Sequence, residues 1–241
     1  MASFERDGIA IHYDLEGEVD GDPVLLLAPG GMRSSNALWE NVVWNPRARL
    51  AGHHRLVGMD QRNAGRSVAP VSGNDSWADY TADQLALLDH LGIERCHVLG
   101  MCIGGPFIFS LLSTAPERFA GAVLLQPAGA VGPTPLFRAM FDEWAGALAP
   151  KHPEATPEDW TSFGDNMWGG TFLYSVGPDE VAATTTPLLV LMGDDEYHPS
   201  ALSRQIADLA PDAELVERWK EPGLVEEVDQ RVLGFLAAHP R

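Results

Sequence analysis

The run Val98-Leu99-Gly100-Met101-Cys102-Ile103-Gly104-Gly105-Pro106 constrains this chain more than any other. Cys96 to Leu99 is a short apolar stretch of the kind that forms a buried parallel strand, and a helical run from Pro106 to Thr114 follows almost at once. A strand that turns into a helix within so few residues needs flanking positions without side chains, because a Cβ there would strike the neighbouring strand or helix. Gly100 and Gly104 meet that need, and the residue centred between them is a thiol. The turn aims Cys102 out of the sheet at the first turn of a helix, where backbone N–H groups and the positive end of the helix dipole favour a thiolate.

The rest of the chain alternates in a way that suits such a turn. Asp7-Gly8 is a hairpin signal, and Ile9, Ile11, Tyr13 and Leu15 then alternate with polar residues as in a half-exposed antiparallel strand. Val24 to Ala28 is apolar without alternation, as expected of a strand covered on both faces, and it ends in the loop Pro29-Gly30-Gly31-Met32. Helical signals run from Ser35 to Trp44, and Arg55 to Met59 reads as another strand. A helix capped by Ser76 and closed by Gly92 follows, and Gly121 to Leu125, Leu188 to Met192 and Glu214 to Glu217 complete the strands. The last helix has Val225, Val228, Val232 and Phe235 on one face. Strands alternating with helices imply an α/β fold with a doubly wound, mostly parallel sheet. Gln126 to Thr186 interrupts the alternation. Phe137, Met140, Phe141, Trp144 and Leu148 keep helical spacing there, and Thr156, Pro157 and Asp159 open a second helix.

Charge and cysteine usage restrict the partners. The formal net charge of −18 over 241 residues leaves no basic footprint for nucleic acid or an anionic membrane surface. No apolar run is long enough to span a membrane, and the N-terminus has no apolar leader core. Cys96 and Cys102 would lie on the order of 20 Å apart along one strand, too far for a disulfide, as in a reducing compartment. These readings point to a cytoplasmic protein with a small-molecule substrate and no nucleic-acid or membrane partner; a homodimer stays open. No spaced set of metal ligands is present, so neither metal nor cofactor is expected. No Gly-Lys-Ser/Thr follows Gly105, which weakens a phosphate-loop reading.

Gly100-x-Cys102-x-Gly104 resembles the nucleophile elbow of the α/β-hydrolase family, with cysteine where serine is usual, an arrangement similar to that of dienelactone hydrolases. Asp60-Gln61-Arg62-Asn63-Ala64-Gly65-Arg66-Ser67 is similar to the family's Asp-x-Arg-Gly-x-Gly-x-Ser, with Asn63 in place of the first glycine; asparagine tolerates positive φ. The resemblance implies an α/β-hydrolase fold with an eight-stranded, mostly parallel sheet and helices on both faces. Residues 1–126 and 187–241 would form the core, and 127–186 a small helical lid. It also implies an oxyanion hole made by the backbone N–H of Ile103 and of Gly31 or Met32, the latter after Pro29-Gly30 where relatives often have His-Gly. The orienting acid is expected in Met192-Gly193-Asp194-Asp195-Glu196, with Asp195 first, Glu196 second and Asp194 third. Trp39, Phe107, Trp144, Met167 and Trp168 are candidates to line an apolar pocket, although aromatics at this spacing also build cores.

The base departs from the family pattern. The family's histidine follows the last strand, and Trp219-Lys220-Glu221-Pro222-Gly223-Leu224 contains none. His239 lies at the chain end, and His53 and His54 precede a strand at the wrong end of the sheet. His12, His90, His97 and His152 suit structural positions. His198 alone lies in a loop at the elbow's end of the sheet, three residues past Asp195, with helix capping as the competing role. A thiol tolerates a missing base better than a hydroxyl, because a pKa near ~8.5, lowered by a helix N-terminus, leaves usable thiolate. The loss falls on the general acid, which thioesters and activated lactones need least. The expected function is therefore hydrolysis of a small apolar ester, lactone or thioester through Cys102 and a backbone oxyanion hole, with an incomplete triad. Two alternatives remain on the same scaffold: a non-hydrolytic lyase, isomerase or cyclase, and a catalytically silent binding protein.

Overall fold

The computed structural model describes residues 2–130 and 135–241. Eight strands form one sheet: β1 Ala2–Arg6, β2 Ile9–Gly17, β3 Pro23–Leu27, β4 Arg55–Met59, β5 Cys96–Cys102, β6 Phe119–Pro127, β7 Leu188–Leu191 and β8 Ala213–Val216. Among the described residues eight α-helices accompany them: α1 Pro46–Leu50, α2 Trp77–His90, α3 Gly104–Thr114, α4 Pro135–Leu148, α5 Pro157–Trp168, α6 Pro178–Ala182, α7 Ser200–Leu209 and α8 Val225–Ala238. The strand order is β1-β2-β4-β3-β5-β6-β7-β8. β2 runs antiparallel to both β1 and β4, and the remaining pairings are parallel. This is the α/β-hydrolase fold, with its eight-stranded, mostly parallel sheet.

Burial follows the apolar runs. Every residue of β3, β5, β6 and β7 is buried, because helices cover the sheet on both faces. The alternating strand β2 is half exposed toward its end, where Leu15 is left in solvent. The Ser35–Trp44 stretch forms a 3₁₀ segment, Asn36–Asn41, rather than an α-helix. Its residues are tied outward to the Asp60 loop, and the Asn36 N–H donates to Asp60 Oδ1 at 2.8 Å. Asn63 takes φ 57°, the positive value expected of it as a glycine replacement, and its Oδ1 accepts from the Ala69 N–H.

After β3 the chain moves outward to β4, then returns to place β5 on the other side of β3. That reversal leaves a crevice at the carboxyl ends of β3 and β5, the place where open α/β sheets bind ligands. The elbow and the Pro29–Met32 loop stand on its two sides. Helices α4 and α5, between β6 and β7, open as the sequence suggests: Thr156 and Asp159 form a reciprocal capping box at the start of α5. The insert is fastened across the carboxyl edge. Trp144 Nε1 donates to the Asn63 carbonyl, Trp77 Nε1 donates to the Met167 carbonyl, and Arg33 pairs with Glu143 at 3.1 Å. Among the described residues no helix is long and apolar enough to cross a membrane.

Candidate active site

Cys102 sits at φ 58°, a left-handed conformation that a non-glycine residue adopts at a cost of about 1–3 kcal/mol. Close packing holds it there. A Cβ at Gly100 would lie 2.8 Å from Gly104 Cα, and one at Gly104 would lie 2.8 Å from the Leu27 carbonyl oxygen. Gly105 is as crowded, with Pro127 Cβ 2.6 Å away, a requirement the elbow spacing alone does not reveal. The Cys102 carbonyl accepts from the Ala128 N–H at 3.0 Å, which ties the turn to the end of β6. Cys102 keeps 8% of its surface exposed, so the sulfur is covered but not sealed. Cys96, at the other end of the same strand, is fully buried, and burial pushes its thiol up to about 12, far from any nucleophilic role. Both thiols are free, as their separation along β5 requires.

Across the crevice, Gly30 at φ 109° and Gly31 at φ 58° bend the chain into a single 3₁₀ turn, Gly31–Arg33. Ser34 Oγ donates back to the Ala28 carbonyl at 2.6 Å, and the Gln61 N–H donates to the Ser34 carbonyl at 3.0 Å, so the turn is braced from behind. Gly31 and Met32 open this turn and Ile103 is the N-cap of α3, so their N–H groups lie where a helical turn offers amides no partner of its own. Unpaired amides beside an elbow are suited to holding a negative oxygen.

The loop after β7 brings the acid and the histidine together. Asp195 Oδ1 accepts from the backbone N–H groups of Tyr197 and His198, each at 2.9 Å, which curls the loop back on itself. The His198 ring is thereby turned so that Nδ1 lies 2.9 Å from Asp195 Oδ2. Of the three adjacent acids only Asp195 touches His198 among the described residues; Asp194 pairs with Lys220 and Glu196 is exposed. Nε2, the other ring nitrogen, is buried without a regular hydrogen bond. Burial works against the charged imidazole, but the Cys102 sulfur and then Asp195 outweigh it and hold His198 above the ordinary histidine value. Burial likewise opposes the Asp195 carboxylate, yet His198 and the two backbone N–H groups hold it below its ordinary value. A nucleophile and base that are loosely aligned without substrate are common in free enzymes.

The other histidines stay apart from this arrangement. His97 bonds to the His239 carbonyl at 2.8 Å, and His54 to that of Asp22 at 3.2 Å, both at the amino ends of the strands. Among the described residues no group of three or more metal-ligating side chains converges.

The pocket candidates divide by burial. Trp39, Phe107 and Met167 are fully covered, and Trp144 nearly so. Phe107 packs on Trp77 and Tyr80, and Trp144 joins Phe141, Trp160 and Phe163 inside the insert. Trp168 is half-buried and stacks on Phe137, with ring centres 5.2 Å apart. Phe137 also meets Tyr174 and Tyr197, the residue before His198. On the other side Met140 Cε comes within 3.4 Å of where a Gly31 Cβ would lie. Helix α4 therefore spans the crevice from the Gly31 turn to the His198 loop. Phe137 and Met140 make these contacts from the apolar face that helical spacing marks in α4 without saying what it covers.

Comparison with known proteins agrees with this architecture. A family profile described as alpha/beta hydrolase fold matches residues 23–167. A putative carbamate hydrolase, RutD, of Variovorax paradoxus is 35% identical over 116 residues, which is 48% of this chain and 42% of that protein. The chain thus spans less than half the length of that relative. An uncharacterized carboxylesterase, nap, of Bacillus subtilis is 25% identical over 94% of this chain and 83% of its own length. Among solved structures, the enol-lactonase of Burkholderia xenovorans superposes with a TM-score of 0.72 at 20% identity, covering 98% of this chain and all of that one (100%). At that identity the match speaks for the fold alone.

Proposed function

The chain belongs to the alpha/beta hydrolase fold family, and from that premise we propose that it hydrolyses small apolar esters, lactones or thioesters with Cys102 as the nucleophile. One observation carries this reading: His198 is held by Asp195 through Nδ1 while its buried Nε2 is left on the Cys102 side, with the sulfur raising its proton affinity. The Cys102–His198 pair shares one proton, which sits on His198 Nε2 as the sulfur attacks. Cys102 Sγ forms a bond to the substrate carbonyl carbon, and the carbonyl electron pair moves onto oxygen. The N–H groups of Ile103 and of Gly31 or Met32 hold that oxyanion. Collapse breaks the bond to the leaving group, which takes the proton from His198 Nε2. His198, now neutral, takes a proton from water as the water oxygen attacks the acyl thioester. The second collapse releases the acid and restores the Cys102–His198 pair with its one shared proton. Asp195 fixes the tautomer and orientation throughout. The helices between β6 and β7 act as the lid, and their apolar face toward the crevice favours an uncharged acyl group.

Intact-mass analysis after exposure to p-nitrophenyl acetate tests the reading. One acetyl group is expected on the wild-type chain and none on Cys102→Ala; acetylation that survives that substitution sinks the proposal. Labelling with no turnover would favour a silent binding protein.

The pH profile gives a second check. Because Asp195 helps to hold His198 above its ordinary value, imidazolium persists to higher pH than in a free histidine. Activity falls on the alkaline side as that proton is lost. Asp195→Asn removes part of the support, so the alkaline limb is expected to move to lower pH. A limb that does not move would separate His198 from the profile.

A further inference from the structure

The loop after β8 holds no histidine, yet it is bound firmly to the loop that does. Trp219 is 2% exposed, and its Nε1 donates to the Met192 carbonyl at 2.8 Å, at the end of β7. Lys220 pairs with Asp194 from the same two loops. One residue past Met192, the Gly193 N–H donates to the Oγ of the buried Ser203 at 3.1 Å. Both polar ends of the Met192–Gly193 peptide group are thus fixed at the point where the Asp195–His198 turn departs. The turn then folds back onto Gly193 itself. A Cβ there would lie 2.2 Å from the His198 carbonyl oxygen and 2.6 Å from His198 Cβ. Both are backbone or backbone-attached atoms, so a side chain at 193 can be fitted only by moving His198.

From this we infer that Gly193 and Trp219 are positioning residues for His198: Gly193 leaves the space in which the histidine is seated, and Trp219 clamps the strand end from which its loop leaves. The inference rests on the reading that His198 acts on Cys102. The part of the chain expected to supply a base supplies instead a brace for a base placed on the preceding loop.

The test compares Gly193→Ala and Trp219→Phe with wild type by the pH dependence of Cys102 alkylation with iodoacetamide and by ester hydrolysis. A merely structural role would not move the thiol's titration. In Gly193→Ala, alkylation at pH 6 is expected to fall about tenfold and its pH dependence to coincide with that of His198→Ala, with kcat reduced and KM kept. Trp219→Phe keeps an aromatic ring but loses the indole N–H and part of the buried volume, so the same change is expected at smaller size. Folded variants whose alkylation profile coincides with wild type overturn the inference. If Gly193→Ala does not fold, Trp219→Phe decides alone. A wild-type profile that already matches a free thiol and is unchanged in His198→Ala overturns the underlying reading as well, and is told apart by that control.

Discussion

His198→Ala lowers kcat/KM by about 100-fold for a p-nitrophenyl ester and by about 10,000-fold for the matching alkyl ester, the two ends of the range for general acid–base catalysis. The difference between the two substrates is the informative quantity. A p-nitrophenolate leaves as a stable anion, so its departure needs little help from a proton. An alkoxide is a poor leaving group, and its departure depends on the proton carried by His198 Nε2. Both substrates share the acyl group, the attack by Cys102 and the oxyanion donors, so a loss confined to those steps would be equal for the two. Kinetics on a series of esters with graded leaving groups measures this directly. A uniform penalty along the series would remove His198 from the role of general acid, even if the residue mattered for folding. Gross distortion would also abolish the uptake of one acetyl group on Cys102 from p-nitrophenyl acetate; the expected pattern is that this group is still taken up, about 100-fold more slowly, while alkyl-ester turnover slows much further.

The placement of this histidine shows how far the sequence could be read. The elbow was legible because sterics leave few solutions: a thiol between glycines, after an apolar strand and before a helix, has to stand at the sheet's carboxyl edge. The sheet was legible because β3, β5, β6 and β7 are covered on both faces and read as unbroken apolar runs. Asp195 and His198 could be placed in the right loop, yet only the turn closed by the two N–H bonds to Asp195 Oδ1 decides where the imidazole points. Such a turn depends on hydrogen bonds between neighbours and on the empty space above Gly193, neither of which has a periodicity. Trp219 gave no signal at all, because an indole bonded to a strand-end carbonyl looks in sequence like any other buried aromatic. The 3₁₀ segment Asn36–Asn41 escaped for a related reason: its apolar spacing suits a helix, while the Asp60 carboxylate captures its first amide.

Arg62→Met is expected to destabilise the fold by about 3–5 kcal/mol, the usual consequence of stripping one partner from a buried ionic cluster. Arg62 is 4% exposed, and its Nε donates to Asp83 Oδ2 at 2.8 Å. Nη1 reaches Asp75 at 3.4 Å and Nη2 the Asp79 carbonyl at 3.2 Å, and the guanidinium lies over the Tyr80 ring. Without it, Asp83 at 2% exposure keeps, among the described residues, only Arg6, 3.6 Å away, as a counter-ion. Burial already pushes the Asp83 carboxyl up against the pull of Arg62, and removing Arg62 pushes it further. A carboxyl whose folded value is raised favours folding below its unfolded value and loses that contribution as pH rises through the folded value. The penalty in Arg62→Met, measured by urea unfolding against wild type at each pH, is therefore expected to grow from pH 4 to pH 7. Replacing Asp83 with leucine in the same chain removes the uncompensated charge and is expected to restore more than half of the loss. A penalty that is flat with pH, or that the second substitution deepens, would show that Arg62 acts through packing on Tyr80 rather than through charge. The loop holding Arg62 also supplies the Asn63 carbonyl that fastens Trp144 and the Asp60 carboxylate that fastens Asn36, so helix α4 and the Asn36–Asn41 segment hang from the same loop. Esterase activity in Arg62→Met should accordingly disappear at lower urea than the far-ultraviolet signal of the sheet.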